Sequence, residues 1–354
     1  MLNRSIPARA SAPPSSPVGK AALNRVLGIA LMTVTLVACS RHNEPVAVVP
    51  LQPGGMPPVL TVNIGAHRYQ FLFDTGATTN VIDPHIAARR LGRMSEEQMR
   101  QWERYQEPLP RSTSLLGGAA TAIQYYRASS VRYGRWTISS SGLIPSVDAP
   151  ELARLSQIAG TPLDGVLGMR SIAALNWIWD RNAGRLDGYR FGSKIFAPLL
   201  RDMACTPISI QPDGLPAIAL DLQSWGATWF VIDTGFVTHY SGSLSIADVA
   251  VLRHMKALSG EVTASNEQSV DPATRESDTF VQVRAARFEH LRFDNLVFEQ
   301  IALSPARLGM GFINRFERVA FDFEANRFCV APPIRTMPDK LPTRAELAAP
   351  AVRE

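Results

Sequence analysis

Metal-binding and nucleotide-binding patterns are missing from this chain of 354 residues, and cysteine is scarce. The six histidines form neither a His-Glu-x-x-His motif nor a paired ligand spacing, and there are only three cysteines, so we expect no metal site. Gly309-Met310-Gly311 lacks the third glycine of a dinucleotide-binding loop, and no phosphate-loop lysine is present. We therefore expect a protein without a metal or an organic cofactor.

Acidic residues are absent from residues 1–38, although this segment carries four basic residues. The whole chain has a formal net charge of +5, and removing these four charges leaves about +1. A charge so close to zero does not favour a nucleic-acid-binding surface. We expect no nucleic-acid partner.

Residues 1–38 are predicted to be a secretory signal. Their apolar run, residues 26–38, has 13 residues, which is too few for a helix that spans a bilayer of about 30 Å. Leu36-Val37-Ala38-Cys39 resembles a bacterial lipobox, and this resemblance implies cleavage before Cys39 and lipidation of that residue. The alternative is a soluble secreted protein whose signal ends near a cysteine.

The lipobox resemblance implies a periplasm-facing lipoprotein of the bacterial cell envelope that contacts the membrane through its N-terminal lipid. Ser40 resembles the sorting signal for the outer membrane rather than the inner membrane. Residues 41–58 contain five prolines and two glycines, so we expect residues 39–58 to form an extended tether.

Two copies of one pattern dominate the rest of the chain, Phe71-Leu72-Phe73-Asp74-Thr75-Gly76 and Phe230-Val231-Ile232-Asp233-Thr234-Gly235. Each copy puts a carboxylate on a tight turn after an apolar run. A single Asp-Thr-Gly is typical of an ordinary turn, because Asp opens turns and Gly allows positive backbone angles. The sequence around the two copies also repeats, which favours one site built from two related halves.

The repeat has four further landmarks, which occur in the same order in both halves. They are a strand before the motif (60–64 and 218–222), a capped helix after it (84–91 after Asp83, and 246–258 after Ser245 with Asp248), an apolar-Gly segment (165–168 and 306–309) and a closing strand pair (179–186 and 321–328). A glycine in the apolar-Gly segment would let another backbone pass close by.

This order of landmarks resembles the aspartic proteases, and its details resemble the retropepsin-like branch more than the pepsins. The resemblance covers about residues 58–330 and implies a mostly β, bilobal acid-protease fold, with two related β-barrel-like lobes, short helices and a central cleft. We expect an N-terminal lobe over 59–190, a C-terminal lobe over 206–331 and a flexible tail over 332–354. Because both motifs lie on one chain, we expect a monomer rather than one-lobed subunits that pair.

The resemblance implies an aspartic endopeptidase, a peptide hydrolase that acts on a peptide or protein substrate. Asp74 and Asp233 would share one proton and serve jointly as general base and general acid, without a covalent intermediate. Thr75 and Thr234 would hydrogen-bond across the two loops, and Gly76 and Gly235 would supply the turns and leave room at the carboxylates. The alternative for these supporting residues is local turn chemistry.

The second copy departs from the family at Phe236, where a small or hydroxyl residue is usual and the first copy has Ala77. This departure leaves open a catalytically inactive aspartic-protease-like lipoprotein that binds a peptide or an envelope partner. Residues 112–121 have a glycine pair between short β patterns, which suits either a mobile flap over the cleft or an ordinary surface loop. Residues 259–278 are polar and are predicted to form a long loop.

With Cys39 assigned to the lipid, Cys205 and Cys329 remain. An oxidising periplasm permits a disulfide between them. In a bilobal aspartic protease both cysteines would lie in the sheet that joins the lobes. Two free buried thiols are the alternative.

Overall fold

The computed structural model describes residues 44–105, 112–113, 121–127, 130–138, 143–146, 149–222, 225–265, 277–302, 305–332, 340–343 and 346. The predicted signal segment, Cys39, and most of the predicted flap and tail lie outside these residues. Within the described ranges, no helix has the length and apolar character needed to cross a membrane.

Strands are numbered in chain order. They are β1 (Ala47–Pro50), β2 (Val59–Ile64), β3 (His67–Phe73), β4 (Val81–Ile82), β5 (Gly92–Arg93), β6 (Ser112–Thr113), β7 (Thr121–Ala122), β8 (Gln124–Arg127), β9 (Val131–Tyr133), β10 (Trp136–Ile138), β11 (Leu143–Ser146), β12 (Gly165–Leu167), β13 (Asn176–Asp180), β14 (Arg185–Tyr189), β15 (Ala204–Pro207), β16 (Ser209–Ile210), β17 (Pro216–Asp221), β18 (Ala227–Ile232), β19 (Gly242–Ser245), β20 (Leu258–Ser265), β21 (Ser277–Phe288), β22 (Leu291–Ile301), β23 (Arg307–Leu308), β24 (Arg318–Asp322) and β25 (Arg327–Val330).

The helices are short and lie between strands. They are α1 (Pro84–Arg90), α2 (Glu96–Tyr105), α3 (Ala149–Ala159), α4 (Met169–Ile172), α5 (Phe196–Leu199), α6 (Ile246–His254) and α7 (Met310–Ile313), with a 3-10 turn at Pro53–Gly55.

Two sheets repeat the same arrangement of five strands. The nine-stranded sheet contains the order β2-β3-β12-β4-β11, and the eight-stranded sheet contains the order β17-β18-β23-β19-β22. In each sheet the strand before Asp-Thr-Gly pairs in parallel with the strand before the apolar-Gly glycine, β3 with β12 and β18 with β23. The fold is mostly β and bilobal, as predicted, and we call the nine-stranded and eight-stranded sheets the first and second lobe.

A third, six-stranded sheet joins the two lobes, with the order β1-β14-β13-β24-β25-β15. Its centre is the antiparallel pair of β13 and β24, which come from the two closing strand pairs of the repeat. Trp177 on β13 is fully buried, and its ring lies 5.0 Å from that of Phe73, the residue before Asp74. The six-stranded sheet therefore packs against the end of β3 through this aromatic contact.

The two predicted helix starts are confirmed by their caps. The Asp83 side chain accepts hydrogen bonds from the backbone N–H groups of His85 and Ile86 at the start of α1. Ser245 and Asp248 form a reciprocal capping box at the start of α6. The second helix ends at His254 and not at residue 258, because Lys256 has a positive φ and β20 then begins.

Two predictions of irregular structure are wrong. The tether predicted over 39–58 contains β1, whose residues Ala47 and Val49 are buried where they pair with β14. Proline and glycine content suggested an extended linker, but the apolar run between two prolines adds an edge strand to the six-stranded sheet. The loop predicted over 259–278 has strands at both of its ends. Residues Leu258–Ser265 of β20 pair with residues Ser277–Val283 of β21.

Candidate active site

Asp74 and Asp233 occupy the same position in their lobes, directly after β3 and β18. The backbone N–H of Asp74 donates to the carbonyl oxygen of Leu167 at 3.0 Å, and that of Asp233 donates to Leu308 at 2.9 Å. Each aspartate is therefore held at the end of its strand by the parallel neighbour, β12 or β23.

The two Asp-Thr-Gly loops pack closely against the glycines of the apolar-Gly segments. A Cβ atom at Gly168 would lie 2.7 Å from the carbonyl oxygen of Ala77, and one at Gly309 would lie 2.6 Å from that of Phe236. The backbone N–H groups of the next residues, Met169 and Met310, donate to the same carbonyl oxygens at 2.8 and 3.0 Å. The predicted close passage of a second backbone is thus present in both halves.

Thr75 and Thr234 link the two loops through a reciprocal set of buried hydrogen bonds. Each hydroxyl accepts the backbone N–H of the other threonine at 3.0 Å. The Thr75 hydroxyl donates to the carbonyl oxygen of Ile232 at 2.6 Å, and the Thr234 hydroxyl donates to that of Phe73 at 2.8 Å. Both side chains are fully buried, so these four hydrogen bonds are shielded from water and hold the two loops together.

Gly76 and Gly235 bring each carboxylate against the opposite loop. A Cβ atom at Gly76 would overlap the carboxylate of Asp233, and one at Gly235 would overlap the carboxylate of Asp74. The contact is thus reciprocal between the two loops. The two carboxylates therefore face each other, in direct contact with both loops.

The protonation of Asp74 is strongly perturbed. Desolvation by the surrounding protein, the charge of Asp233 and a hydrogen bond with its carboxylate together raise the Asp74 pKa from 3.8 to about 8, although the Gly76 N–H and Arg307 oppose the rise. The Gly76 N–H donates to the Asp74 carboxyl at 2.7 Å. Two adjacent carboxylates cannot both ionise at low cost, so the pair retains one proton at neutral pH.

Comparisons with known proteins give matches to a solved structure and to a family model. The crystal structure of an aspartic proteinase from Irpex lacteus is similar to the chain at 14% identity and a TM-score of 0.46, over 82% of this chain and 98% of that one. No curated protein matches the chain. A family model described as "Aspartyl protease" matches residues 59–170, which include the first Asp-Thr-Gly motif. Over residues 59–170 the chain is similar to the aspartyl protease family.

A further charged residue, which sequence reasoning missed, lies beside the two carboxylates. Arg307, the first residue of β23, forms an ion pair with Asp233 through its Nη1 atom. The corresponding residue of β12 is Val166, which is fully buried. The available signal was this difference between the two apolar-Gly segments, where one half has a valine and the other an arginine.

Phe236, the departure noted in the second motif, is half-buried and lies against Gly309 at the start of α7. Its Cδ1 atom would lie 2.7 Å from a Cβ atom at Gly309. Its backbone N–H donates to the carboxylate of Asp233 at 3.0 Å. Phe236 therefore contributes a donor to Asp233 through its backbone while its ring edge contacts Gly309.

The structure pairs two of the three cysteines. Cys205 on β15 and Cys329 on β25 are direct partners in the six-stranded sheet and form a disulfide with a Cα–Cα distance of 4.0 Å. Cys39 lies outside the described residues, so its lipidation stays a prediction. In the predicted flap, Thr113 pairs with Thr121, and the tip between them also lies outside the described residues.

Proposed function

We propose that this protein is an aspartic endopeptidase that cleaves an extended peptide or a flexible protein segment. The observation that carries the proposal is the direct contact between the Asp74 and Asp233 carboxylates across two hydrogen-bonded loops. Both carboxylates come from one chain, so the proposed active form is a monomer.

The proposed reaction uses the carboxylate pair in its singly protonated form. The ionised carboxylate removes a proton from a water molecule, whose oxygen forms a bond to the carbonyl carbon of the peptide. The protonated carboxyl then supplies the proton that the departing nitrogen needs as the C–N bond breaks. The raised pKa of Asp74, about 8, supports this state because it keeps one proton on the pair at neutral pH.

Cleavage of a diverse peptide library between pH 3 and pH 8 tests the proposal. Products identified by mass spectrometry should form with the wild-type protein, and the initial rate should fall by roughly 10²–10⁴-fold in Asp74→Asn and in Asp233→Asn. Asp221→Asn is the matched control, because Asp221 forms an exposed ion pair with Arg287 away from the site. An inactive wild-type protein, or three variants with wild-type rates, would contradict the proposal.

We also propose that the protein is exported and tethered to the outer membrane through a lipid on Cys39. The disulfide between Cys205 and Cys329 supports export, because disulfides persist in oxidising compartments. Metabolic labelling with a radioactive fatty acid should label the wild-type protein but not Cys39→Ala, which should appear in the soluble periplasmic fraction. Equal labelling of the two proteins, or no labelling of either, would contradict this location.

A second candidate function is peptide binding without cleavage. It is favoured by the ion pair between Arg307 and Asp233 and by the hydrogen bond from the Phe236 N–H, since both interactions engage one of the two carboxylates. A binder would retain a stoichiometric peptide with no product, and the Asp74→Asn and Asp233→Asn substitutions would leave its affinity unchanged. Calorimetry with the peptides of the library separates the two functions.

A further inference from the structure

We propose that Arg307 is a positioning residue that holds Asp233 as the ionised member of the pair, so that the shared proton resides on Asp74. The proposal rests on the endopeptidase function proposed above and goes further by giving each aspartate one role. Asp233 becomes the general base that activates water, and Asp74 becomes the general acid that protonates the departing nitrogen.

The ion pair lies in a partly buried position, where it has a strong effect on protonation. The Asp233 side chain is 4% exposed and the Arg307 side chain is 29% exposed. A cation in contact with a carboxylate favours its ionised form, and water screens the interaction less when the carboxylate is buried. The guanidinium therefore acts first on Asp233, the carboxylate that it contacts.

The backbone around Arg307 fixes the location of its charge. Arg307 pairs in parallel with Val231, two residues before Asp233, and antiparallel with Ser243 on β19. The next residue, Leu308, accepts the backbone N–H of Asp233. A Cβ atom at Gly242 would overlap the carbonyl oxygen of Arg307, so β19 and β23 are in close contact. Arg307 therefore lies on β23, the strand whose Leu308 carbonyl oxygen accepts the backbone N–H of Asp233.

The first lobe has no equivalent cation at the matching position. By strand register, Val166 pairs with Leu72 as Arg307 pairs with Val231. Val166 belongs to an apolar cluster with Leu72 and with Leu152 and Leu155 of α3. The two aspartates therefore differ in environment although their loops are alike, because a cation contacts one aspartate and an apolar cluster packs beside the strand of the other.

The protonation of Asp74 is consistent with this assignment. Its pKa is raised to about 8, first by desolvation and then by the charge of Asp233, whereas Arg307 lowers it only as the last of the contributing interactions. If Asp233 keeps its charge, Asp74 is the member of the pair that must remain protonated.

Other charged residues lie near the two loops. Asp213 precedes Gly214, whose Cβ position would be 3.3 Å from the side chain of Thr78 after the first motif. The backbone N–H of Arg170 donates to the carbonyl oxygen of Thr78 at 3.2 Å. His239 follows the second motif and is exposed. The interactions that shift the Asp74 pKa come from burial, Asp233, Gly76 and Arg307. Asp213, Arg170 and His239 are not among them.

The direct test is a carboxyl ¹³C NMR titration of the full chain labelled at aspartate, with the two resonances assigned from Asp74→Asn and Asp233→Asn. In Arg307→Gln, the midpoint of the Asp233 titration should rise by roughly 1–3 pH units. Arg307→Lys keeps the charge and should remain near the wild-type titration. Arg287→Met removes a cation from an exposed ion pair in the same lobe and should match the wild-type titration.

Arg307→Val is a second neutral variant, which introduces the residue of the first lobe and serves if Arg307→Gln does not fold. The proposal is overturned if Asp233 titrates in the folded neutral variants as it does in the wild-type protein. It is also overturned if Arg307→Lys shifts the titration as much as the neutral variants do, or if Arg287→Met causes the same shift.

Kinetics then link the titration to catalysis. The acidic limb of the pH profile of kcat/KM should move to higher pH in the neutral variants, and kcat/KM at low pH should fall about tenfold for every pH unit that the limb moves. A structural defect alone would lower kcat/KM at all pH values without moving the limb, and that result would overturn the positioning role. Higher kcat/KM at every pH would also overturn it, because Arg307 would then be inhibitory.

If the wild-type protein cleaves no peptide, the proposed function fails, while the NMR titration still decides whether Arg307 sets the charge of Asp233.

Discussion

The hydroxyl groups of Thr75 and Thr234 each accept the other residue's backbone N–H at 3.0 Å and donate to a carbonyl oxygen beside the opposite aspartate. The contact joins two loops that are 159 residues apart in the chain. Because the exchange is reciprocal, neither aspartate can shift without disturbing the loop of the other.

The first prediction concerns this threonine pair. Thr234→Val preserves the shape of the side chain but leaves the Thr75 N–H and the Phe73 carbonyl oxygen without their hydroxyl partner. Each unsatisfied buried group costs about 1–3 kcal/mol, so with two such groups we expect the free energy of unfolding to fall by roughly 2–6 kcal/mol. Urea denaturation measures this change. Thr234→Ser retains the hydroxyl and should lose less than half as much, and equal losses in the two variants would contradict the role of the hydroxyl.

The second prediction concerns the room that glycine leaves at the carboxylates. Gly76→Ala places a Cβ atom where the Asp233 carboxylate lies, so we expect the two loops to separate and the cleavage rate to fall by at least about tenfold. Gly92→Ala is the matched control, because nothing lies within 4 Å of its Cβ position. Wild-type activity in Gly76→Ala, or a similar loss in Gly92→Ala, would show that this contact does not set the geometry.

The third prediction concerns the pH dependence of stability. Asp74 has a pKa of about 8 in the folded protein and about 3.8 when unfolded, so between these values the folded state binds more protons than the unfolded state. The contribution of Asp74 to the free energy of unfolding is therefore complete below pH 3.8 and decreases as pH rises through 8. Urea denaturation at pH 4, 6 and 8 measures the free energy of unfolding of the wild-type protein and of Asp74→Asn. The wild-type value minus the variant value should decline as pH rises. A constant or growing difference would contradict the raised pKa.

The fourth prediction concerns the disulfide between Cys205 and Cys329. The bond closes a sequence separation of 124 residues and joins β15 to β25 at one side of the six-stranded sheet. We expect its removal in the double variant Cys205→Ala with Cys329→Ala to lower the free energy of unfolding by roughly 2–5 kcal/mol. Reduction of the wild-type protein should have a similar effect. If the oxidised and reduced wild-type proteins unfold at the same urea concentration, the bond does not contribute to stability.

The sequence predicted the repeated parts of the fold and the two aspartates because their signals are local. An apolar strand followed by Asp-Thr-Gly can be read in six residues, and a capped helix in four. The duplication then predicts that the two motifs meet, since related lobes place their equivalent loops at equivalent positions. The correct prediction of a β-rich, bilobal fold depended on this repetition more than on any single motif.

The sequence did not predict the ion pair between Arg307 and Asp233, because that contact depends on the register of β18 against β23 across 74 residues. The strand β1 was missed for a similar reason. Its partner on β14 lies about 140 residues later, and Ala47 and Val49 are buried where β1 pairs with it. The pairing of β20 with β21 was missed because polar residues lie at its far end, where Thr263 and Thr279 form a hydrogen bond between hydroxyl groups.

The central claim is that Asp74 and Asp233 act together as one catalytic unit, and a double-mutant cycle on one cleaved peptide tests it most directly. The values of kcat/KM are measured for the wild-type protein, Asp74→Asn, Asp233→Asn and the double variant. If the two carboxylates form a unit, each single substitution should reduce kcat/KM nearly as much as the double substitution does. The claim is contradicted if the fold loss of kcat/KM in the double variant equals the product of the losses in the two single variants. It is also contradicted if one single variant has wild-type activity.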